Sequence, residues 1–510
     1  TKPQIIKGST DAFNFKRIKE NQSVSDAPNV TGITGGKIIA NSISRERVKG
    51  DIYAAIAVSG LDVDDTLKVY RSTNNGLNFN LVIEISSPGF KIMTNSLDVE
   101  AVSNGDSSYA FVAMTYTMFG NKSSLIFRTR QDGAMYTSAV LSGDVTKKYT
   151  NMRVTSDNAR WTTNAYVYVT VTLDSLVSGT RRLKSKLYKI ISPFSPSLQM
   201  ASGYQGAVNA QYGYNVTGVA PDTAKFETDI AFVSSTTATD YLCTVTIVRG
   251  VFNAFNNGCS LYFTKSTDFG ATAPTLFSYA DALPYLKESP RFAATGFSNN
   301  SAMVITRRLF GGVDWDPYYF YTPDITIGAP EFQYGFIDNS GDTTLGVSVA
   351  ANYRSNGYYL FAFNNKLGQN SSKILIRSFN KGVLAPFATL TQVNPSNVPG
   401  TNLNGLVDAG FRNANNDSCL TIWGGTSGTG SYVTGGCSGP FIGINSSGTR
   451  ADGYELLQNY PNPFNPTTKI NYTIPARSNV SITVFDVLGK EIGNLVNMVQ
   501  TAGNHSIEFN

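Results

Sequence analysis

Side chains that can do chemistry are few and scattered in this chain. Its single histidine is His505, close to the end of the 510 residues. No Ser-His-Asp or Cys-His set can therefore form upstream of it, nor a histidine-ligated zinc or haem site. Catalysis would have to rest on carboxylates, Tyr, Lys or Arg. One loop, Asp338-Asn-Ser340-Gly-Asp342-Thr-Thr344, sets side-chain oxygens at every second position. That spacing can wrap calcium, although no Glu closes the loop as in an EF-hand. Asp62, Asp64 and Asp65 form a second acidic cluster. A solvated turn is the competing reading of each. Asp314-Trp315-Asp316, followed by Pro317 and Tyr318, sets aromatic planes beside carboxylates. That suits the hydroxyls of a surface glycan, whereas packing between sheets is what most aromatics of a β-protein do.

Four cysteines fall as two local pairs, Cys243 with Cys259 and Cys419 with Cys437. Each pair flanks a strand–turn–strand stretch, so cross-strand disulfides Cys243–Cys259 and Cys419–Cys437 are expected, against four reduced core thiols. No CxxC spacing supports a metal site.

Composition limits the class of protein. Charged residues are 15% and aromatics 12%, with 27 Tyr and 30 Phe. Such a low-charge, hydroxyl- and amide-rich chain reads as a secreted β-protein. The net charge of +5 is thin over this length and no basic block stands out, so no nucleic-acid groove is expected. No apolar run is long enough to span a bilayer as a helix, so no transmembrane segment is expected.

The elements that must position any site recur as a repeat. Strand-like runs return about every 55–60 residues between positions 36 and 447. First strands read KIIANSI (37–43), LDVEAVS (97–103), TNMRVTS (150–156), ETDIAFVSS (227–235), SPRFAATG (289–296), LGVSVAAN (345–352) and GLVDAGFR (405–412). Each is followed by a second strand that is apolar throughout, such as DIYAAIAVS (51–59), and by a third. Such sheets cannot bury a core singly, but radial stacking covers both faces of each. The expected fold is all-β: a seven-bladed β-propeller, with six or eight blades as alternatives, followed by a small Ig-like β-sandwich.

A turn motif recurs after third strands. Ser72-Thr-Asn74-Asn-Gly76-Leu-Asn-Phe79 and Ser266-Thr-Asp268-Phe-Gly270 are the clearest copies, with degenerate ones at Thr129–Tyr136 and Ser378–Gly382. They resemble the Asp-box (BNR repeat) of sialidase-like propellers. There the box is a structural hairpin in which an Asp or Asn accepts backbone N–H groups and Gly supplies positive φ. The resemblance makes sialidase chemistry the first to test. It would need an arginine triad, a Tyr–Glu pair, an Asp and an early Arg-Ile-Pro motif. The early region reads NFKRIKENQ, and Arg291, Arg307 and Arg308 have no matching Tyr–Glu set.

Composition shifts after Ser447. Asn459, Pro461, Asn462, Pro463, Phe464, Asn465 and Pro466 form a Pro-rich stretch that neither a helix nor a central strand can cross. Alternation then resumes in KINYTI, VSITVFD and HSIEF. Residues 454–510 resemble the type A C-terminal sorting domain of type IX secretion. The resemblance implies export through the outer membrane, handling by the sorting machinery, and cleavage or retention of the tail. The family domain normally continues for about two more strands. The expected division is an N-terminal extended arm (1–34), the propeller (35–447), a linker (448–466) and a truncated sorting domain (467–510). The arm is expected to close a sheet edge, within the chain or by strand addition to another copy.

Together these features predict a secreted, cell-surface structural or adhesive propeller. It would be non-enzymatic and without cofactor, calcium apart, and could assemble with copies of itself. The alternative is a glycan-binding or glycan-hydrolysing propeller.

Overall fold

The structure is a computed structural model. It describes residues 4–7, 12–14, 16–18, 37–46, 48–59, 64–74, 76, 78–133, 136–157, 166–191, 193–201, 212–215, 225–233, 241–249, 259–268, 275–281, 286–294, 301–310, 314–328, 330–352, 358–367, 371–380, 390–392, 407–411, 419–427, 430–438, 455–456, 459, 467–474, 478–486, 490–500 and 503–509. All elements among them are strands. The chain divides into two compact units, Thr1–Phe441 and Ile442–Asn510.

In the first unit, successive segments fold into seven sheets, the first six built mainly from four strands next to one another in sequence and the seventh from three such strands and an N-terminal one. The innermost strands are Lys37–Arg45, Lys91–Ser103, Lys147–Ser156, Lys225–Val233, Lys287–Ala294, Thr344–Asn352 and Val407–Phe411. They coincide with the repeating first strands of the sequence. The chain then runs outward by antiparallel hairpins, as consecutive short connections favour. The arrangement is that of a β-propeller.

The second strands explain the stacking. Ile52–Ser59 is buried on both faces except at its last residue, and Tyr241–Arg249 likewise. A strand apolar on both faces must be covered twice. Separate cores fill the joints. Ala55, Leu67 and Ile83 of the first sheet pack with Val99, Val112 and Phe127 of the second. Phe111 and Ile126 pack with Val169 and Tyr188 of the third. Phe263 of the fourth meets Phe292 and Phe320 of the fifth. Ile422 of the seventh sheet joins Ile43, Ile56 and Tyr70 of the first, so the last sheet packs on the first.

The N-terminal segment pairs within the chain. Gln4–Lys7 and Ala12–Asn14 extend the first sheet against Asn78–Ser86. Lys16–Ile18 runs parallel to Gly430–Ser438 of the seventh.

The second unit has a three-stranded sheet (Glu455–Leu456, Thr468–Ile474, Gly503–Phe509) and a two-stranded one (Ser478–Phe485, Glu491–Gln500). Its core is Tyr472 and Val496, with Val480, Ile482, Leu495 and Ile507 packed around them. Tyr472 donates to Gln500 at 2.7 Å and stacks on His505. The one histidine is thus a packing residue.

The expected Cys243–Cys259 bridge does not exist: both thiols are free and buried. Register is the reason. Cys243 lies opposite Lys265, while Cys259 lies opposite Arg249, six residues further along the strand. That separation is about 20 Å at about 3.3 Å per residue, far beyond disulfide reach. Cys419 lies opposite Ser438, and Cys437 opposite Leu420. Their side chains fall outside the described set, so that pairing is left as an expectation.

Candidate functional site

The inner strands carry a feature that the repeat contains but the motif reading passed over. At one equivalent position, each of the seven has a polar residue followed by an apolar or small one: Ser42, Asp98, Arg153, Asp229, Arg291, Ser348 and Asp408. A cavity of about 200 Å³ is lined by all seven inner strands, and all but Arg153 of these seven residues line it. Glu100 lies two residues beyond Asp98 in the same wall.

An inner strand has one edge without a neighbouring strand, and its N–H groups need acceptors. The ring residues provide them across the joints. Val99 N–H donates to Ser42 Oγ at 3.2 Å. Val154 N–H donates to Asp98 at 2.9 Å, Phe292 N–H to Asp229 at 2.8 Å, and Ile43 N–H to Asp408 at 2.7 Å. Asp408 also accepts from Ser42 Oγ at 3.0 Å and from Ser348 Oγ. A second tier repeats the device. Glu100 accepts from Ser44 and Ser156, and Glu227 accepts the N–H of Ser289 at 2.6 Å.

Charge balance in the channel is tight. Burial pushes the Asp98 carboxyl up to about 7, with Arg153 and the Val154 N–H opposing and the Asp229 charge adding to it. Asp229 is raised for the same first reason, opposed by Arg153 and Arg291. Arg153 is lowered by burial and by Arg291. One Arg153 N–H group donates to the carbonyl of Leu97 at 3.3 Å. Chemically, the channel holds hydrogen-bonded carboxylates and guanidinium groups in a space smaller than the roughly 300–1,000 Å³ of ordinary ligand pockets.

The sequence-derived candidates fall elsewhere. Of the glycan patch, Asp316 and Tyr318 are buried, at 1% and 4% exposure, which removes them from any surface. Tyr318 packs against Phe320 and Phe336. Trp315 is half-buried beside the guanidinium groups of Arg249 and Arg307, both paired with Glu288. Among the described residues, neither carboxylate oxygen of Asp316 has a hydrogen-bond partner. Burial, then Asp314 and Asp338, push its carboxyl up to about 7.

The calcium loop is also spent on local contacts. Ser340 Oγ donates to Asp338 at 2.9 Å, Asp342 pairs with Lys373 at 3.2 Å, and buried Thr344 donates to Asn365 at 2.7 Å. No group of three metal-ligating side chains that could hold an ion occurs among the described residues. Asp64 accepts the Gly89 N–H, Asp65 accepts the Ile92 N–H, and Asp62 lies outside the described residues.

In both Ser-x-Asx turns the serine hydroxyl accepts a backbone N–H and donates to the Asx side chain. Ser72 Oγ receives the N–H groups of Asn74 and Gly76 and donates to Asn74 Oδ1. Ser266 and Asp268 repeat this. Gly76 has φ 77°, and Phe79 is buried beneath the first turn. Gly270 lies outside the described residues, as do Pro461, Asn462, Pro463, Phe464, Asn465 and Pro466. Asn459 donates to Thr468 Oγ1 at 3.0 Å.

Residues 458–510 match the family described as the secretion system C-terminal sorting domain. No curated protein sequence matches the chain significantly. Among solved structures, an α-L-arabinanase of Penicillium chrysogenum, complexed with arabinobiose, is 11% identical. The match covers 85% of this chain and 98% of that one, with a TM-score of 0.39. A Trypanosoma rangeli sialidase is 10% identical over 84% of this chain and 58% of its own, at 0.36. A sucrose-6-phosphate hydrolase of Lactobacillus gasseri is 12% identical over 80% and 87%, at 0.28. Likeness this distant carries no activity or site residue to the present chain.

Proposed function

We propose that this chain is an extracellular, non-catalytic propeller with a structural or adhesive role, its seven sheets forming seven blades of a closed ring. The sorting tail implies export by type IX secretion to the cell surface or beyond. No helix among the described residues is long and apolar enough to cross a membrane. The second unit, with its two small sheets, is read as an Ig-like sandwich that the export and sorting machinery handles.

One observation carries the non-catalytic reading. The channel carboxylates accept backbone N–H groups of the following sheet through four bonds at three joints between sheets. A carboxylate that holds the ring together is poorly placed to exchange protons with a substrate. The cavity is also too small for more than a single small solute.

A glycan-hydrolysing reading draws on one feature, the Asp98 carboxyl raised to about 7 beside Asp229. A carboxyl raised by burial beside a second carboxyl is the kind of group a glycosidase uses as its acid. A panel of fluorogenic glycosides together with a glycan array separates the two. Turnover or a saturable sugar site would defeat the structural reading. Electron microscopy of the purified protein tests self-assembly. The pairing of N-terminal strands within the chain supports dispersed monomers over strand exchange between copies.

A further inference from the structure

One end of the second and third sheets presents apolar side chains to solvent at hairpin tips. Phe119, at the turn after strand Ser108–Met118, is 81% exposed, and Val145, on the link between the two sheets, is 82% exposed. Val177, at the tip after Val167–Val177, is 41% exposed. Topology puts all three at the same end, because second-to-third-strand hairpins and sheet-to-sheet links share that end. A backbone bond from Leu176 N–H to Thr146 O ties the link to the tip.

Phe119 is costly where it stands. Its φ is 50°, a left-handed conformation that a bulky residue rarely takes and that Gly or Asn would fill without strain. The Phe119 ring lies over Gly89, 3.5 Å from where a Cβ there would stand, yet stays mostly exposed, so a strained backbone holds an apolar ring at the surface.

The surroundings are cationic. Lys147, Lys184 and Lys186 lie on one face of the third sheet. Lys147 pairs in register with Ser175, which pairs with Arg182, and Lys184 and Lys186 follow on the same side of that strand. None of the three lysines forms a salt bridge among the described residues. Burial, then the charges of Lys184 and Lys147, lower Lys186. Asp144, whose charge interacts with Lys147, accepts the Thr146 and Lys147 backbone N–H groups.

From this arrangement we infer that the Phe119–Val145–Val177 end docks on an anionic lipid bilayer. The three tips enter the headgroup region while Lys147 and Lys184, the lysines nearer the tips, face lipid phosphates. Single apolar side chains standing on separate tips insert between lipids, with Lys at the level of the headgroups. A protein partner is the poorer fit, since protein interfaces are flat, continuous and depleted in Lys. This surface lies outside the channel and is independent of whether the channel is catalytic.

The test is vesicle co-flotation of the full chain with large unilamellar vesicles. Equimolar phosphatidylglycerol and phosphatidylcholine are compared with phosphatidylcholine alone, at about 50 mM and about 500 mM NaCl. Binding to the anionic vesicles at low salt is expected, falling about tenfold without the anionic lipid or at high salt. Phe119→Ser with Val145→Ser, and separately Lys147→Glu with Lys184→Glu, should each lower partitioning about tenfold. Ile327→Ser, an exposed apolar residue (47%) at the opposite end of the fifth sheet, should leave it unchanged. Circular dichroism of each variant checks the fold. Inorganic phosphate at headgroup concentration should not compete, and competition would assign the lysines to a soluble anion instead. Absence of flotation, or flotation indifferent to the tip and lysine variants, overturns the inference.

Discussion

Ile43 and Asp408, 365 positions apart in sequence, are joined by a 2.7 Å hydrogen bond from the Ile43 N–H to the Asp408 carboxylate. The first and seventh sheets meet there. Ser42 and Ser348 donate to the same carboxylate from either side. Asp408→Ala should leave three donors without this acceptor. The expected cost is about 2–4 kcal/mol, read from the urea midpoint of the propeller transition. Thr326→Ala, an exterior control that keeps its backbone N–H bond to Asp324, should cost well under about 1 kcal/mol.

Asp316 gives a pH-dependent prediction. Its carboxyl is raised to about 7 against an unfolded value near 4, so the folded state binds the proton more tightly. Stability from this group is therefore fully present below about pH 4 and is lost as pH rises towards and through about 7. Asp316→Asn removes the buried charge. The variant should be more stable than wild type at pH 8, by about 1–3 kcal/mol, with the gap closing at pH 5. Thermal unfolding at the two pH values measures both.

The buried thiols should be inert. Burial raises Cys243 to about 12 and Cys259 to about 11, leaving almost no thiolate at neutral pH. Mass-spectrometric mapping after iodoacetamide should find both unmodified in the native protein and both alkylated in about 6 M guanidinium without reductant. Alkylation that required reductant would restore the bridge.

Gly133 tests a hairpin of the second sheet. Its φ is 68°, and a Cβ there would meet the Val82 carbonyl oxygen at 2.5 Å. Gly133→Ala should cost about 1–3 kcal/mol, through strain and a backbone clash that no side chain can relieve. Gly105→Ala has positive φ but open space around it, and should cost about 1 kcal/mol.

Much of the strand plan is readable along the chain, because strand periodicity and apolar second strands are local properties. KIIANSI and LDVEAVS become inner strands as read, and DIYAAIAVS becomes a doubly covered one. Channel chemistry is not local. Asp98, Asp229 and Asp408 look like isolated acids until the strands are aligned on the polar position before Ile43, Val99 and Phe292. Only then does one side chain per sheet fall into a ring. Cysteine pairing fails for a related reason, since spacing does not fix register and Cys243 and Cys259 end at opposite ends of one hairpin. For Asp316 and Tyr318 the patch reading fails because an aromatic-rich strand gives the same pattern whether it faces a sugar or a neighbouring sheet. Burial decided for the sheet.

The central claim is that the channel carboxylates stitch sheets together and do not transform a substrate. The most direct measurement is hydrolysis of the fluorogenic glycoside panel by wild type and by Asp98→Asn and Asp229→Asn, with unfolding midpoints taken on the same samples. The account predicts no turnover above blank for any of the three, and a lowered midpoint for both variants. Turnover by wild type that either substitution abolishes, with the midpoint unchanged, would contradict it.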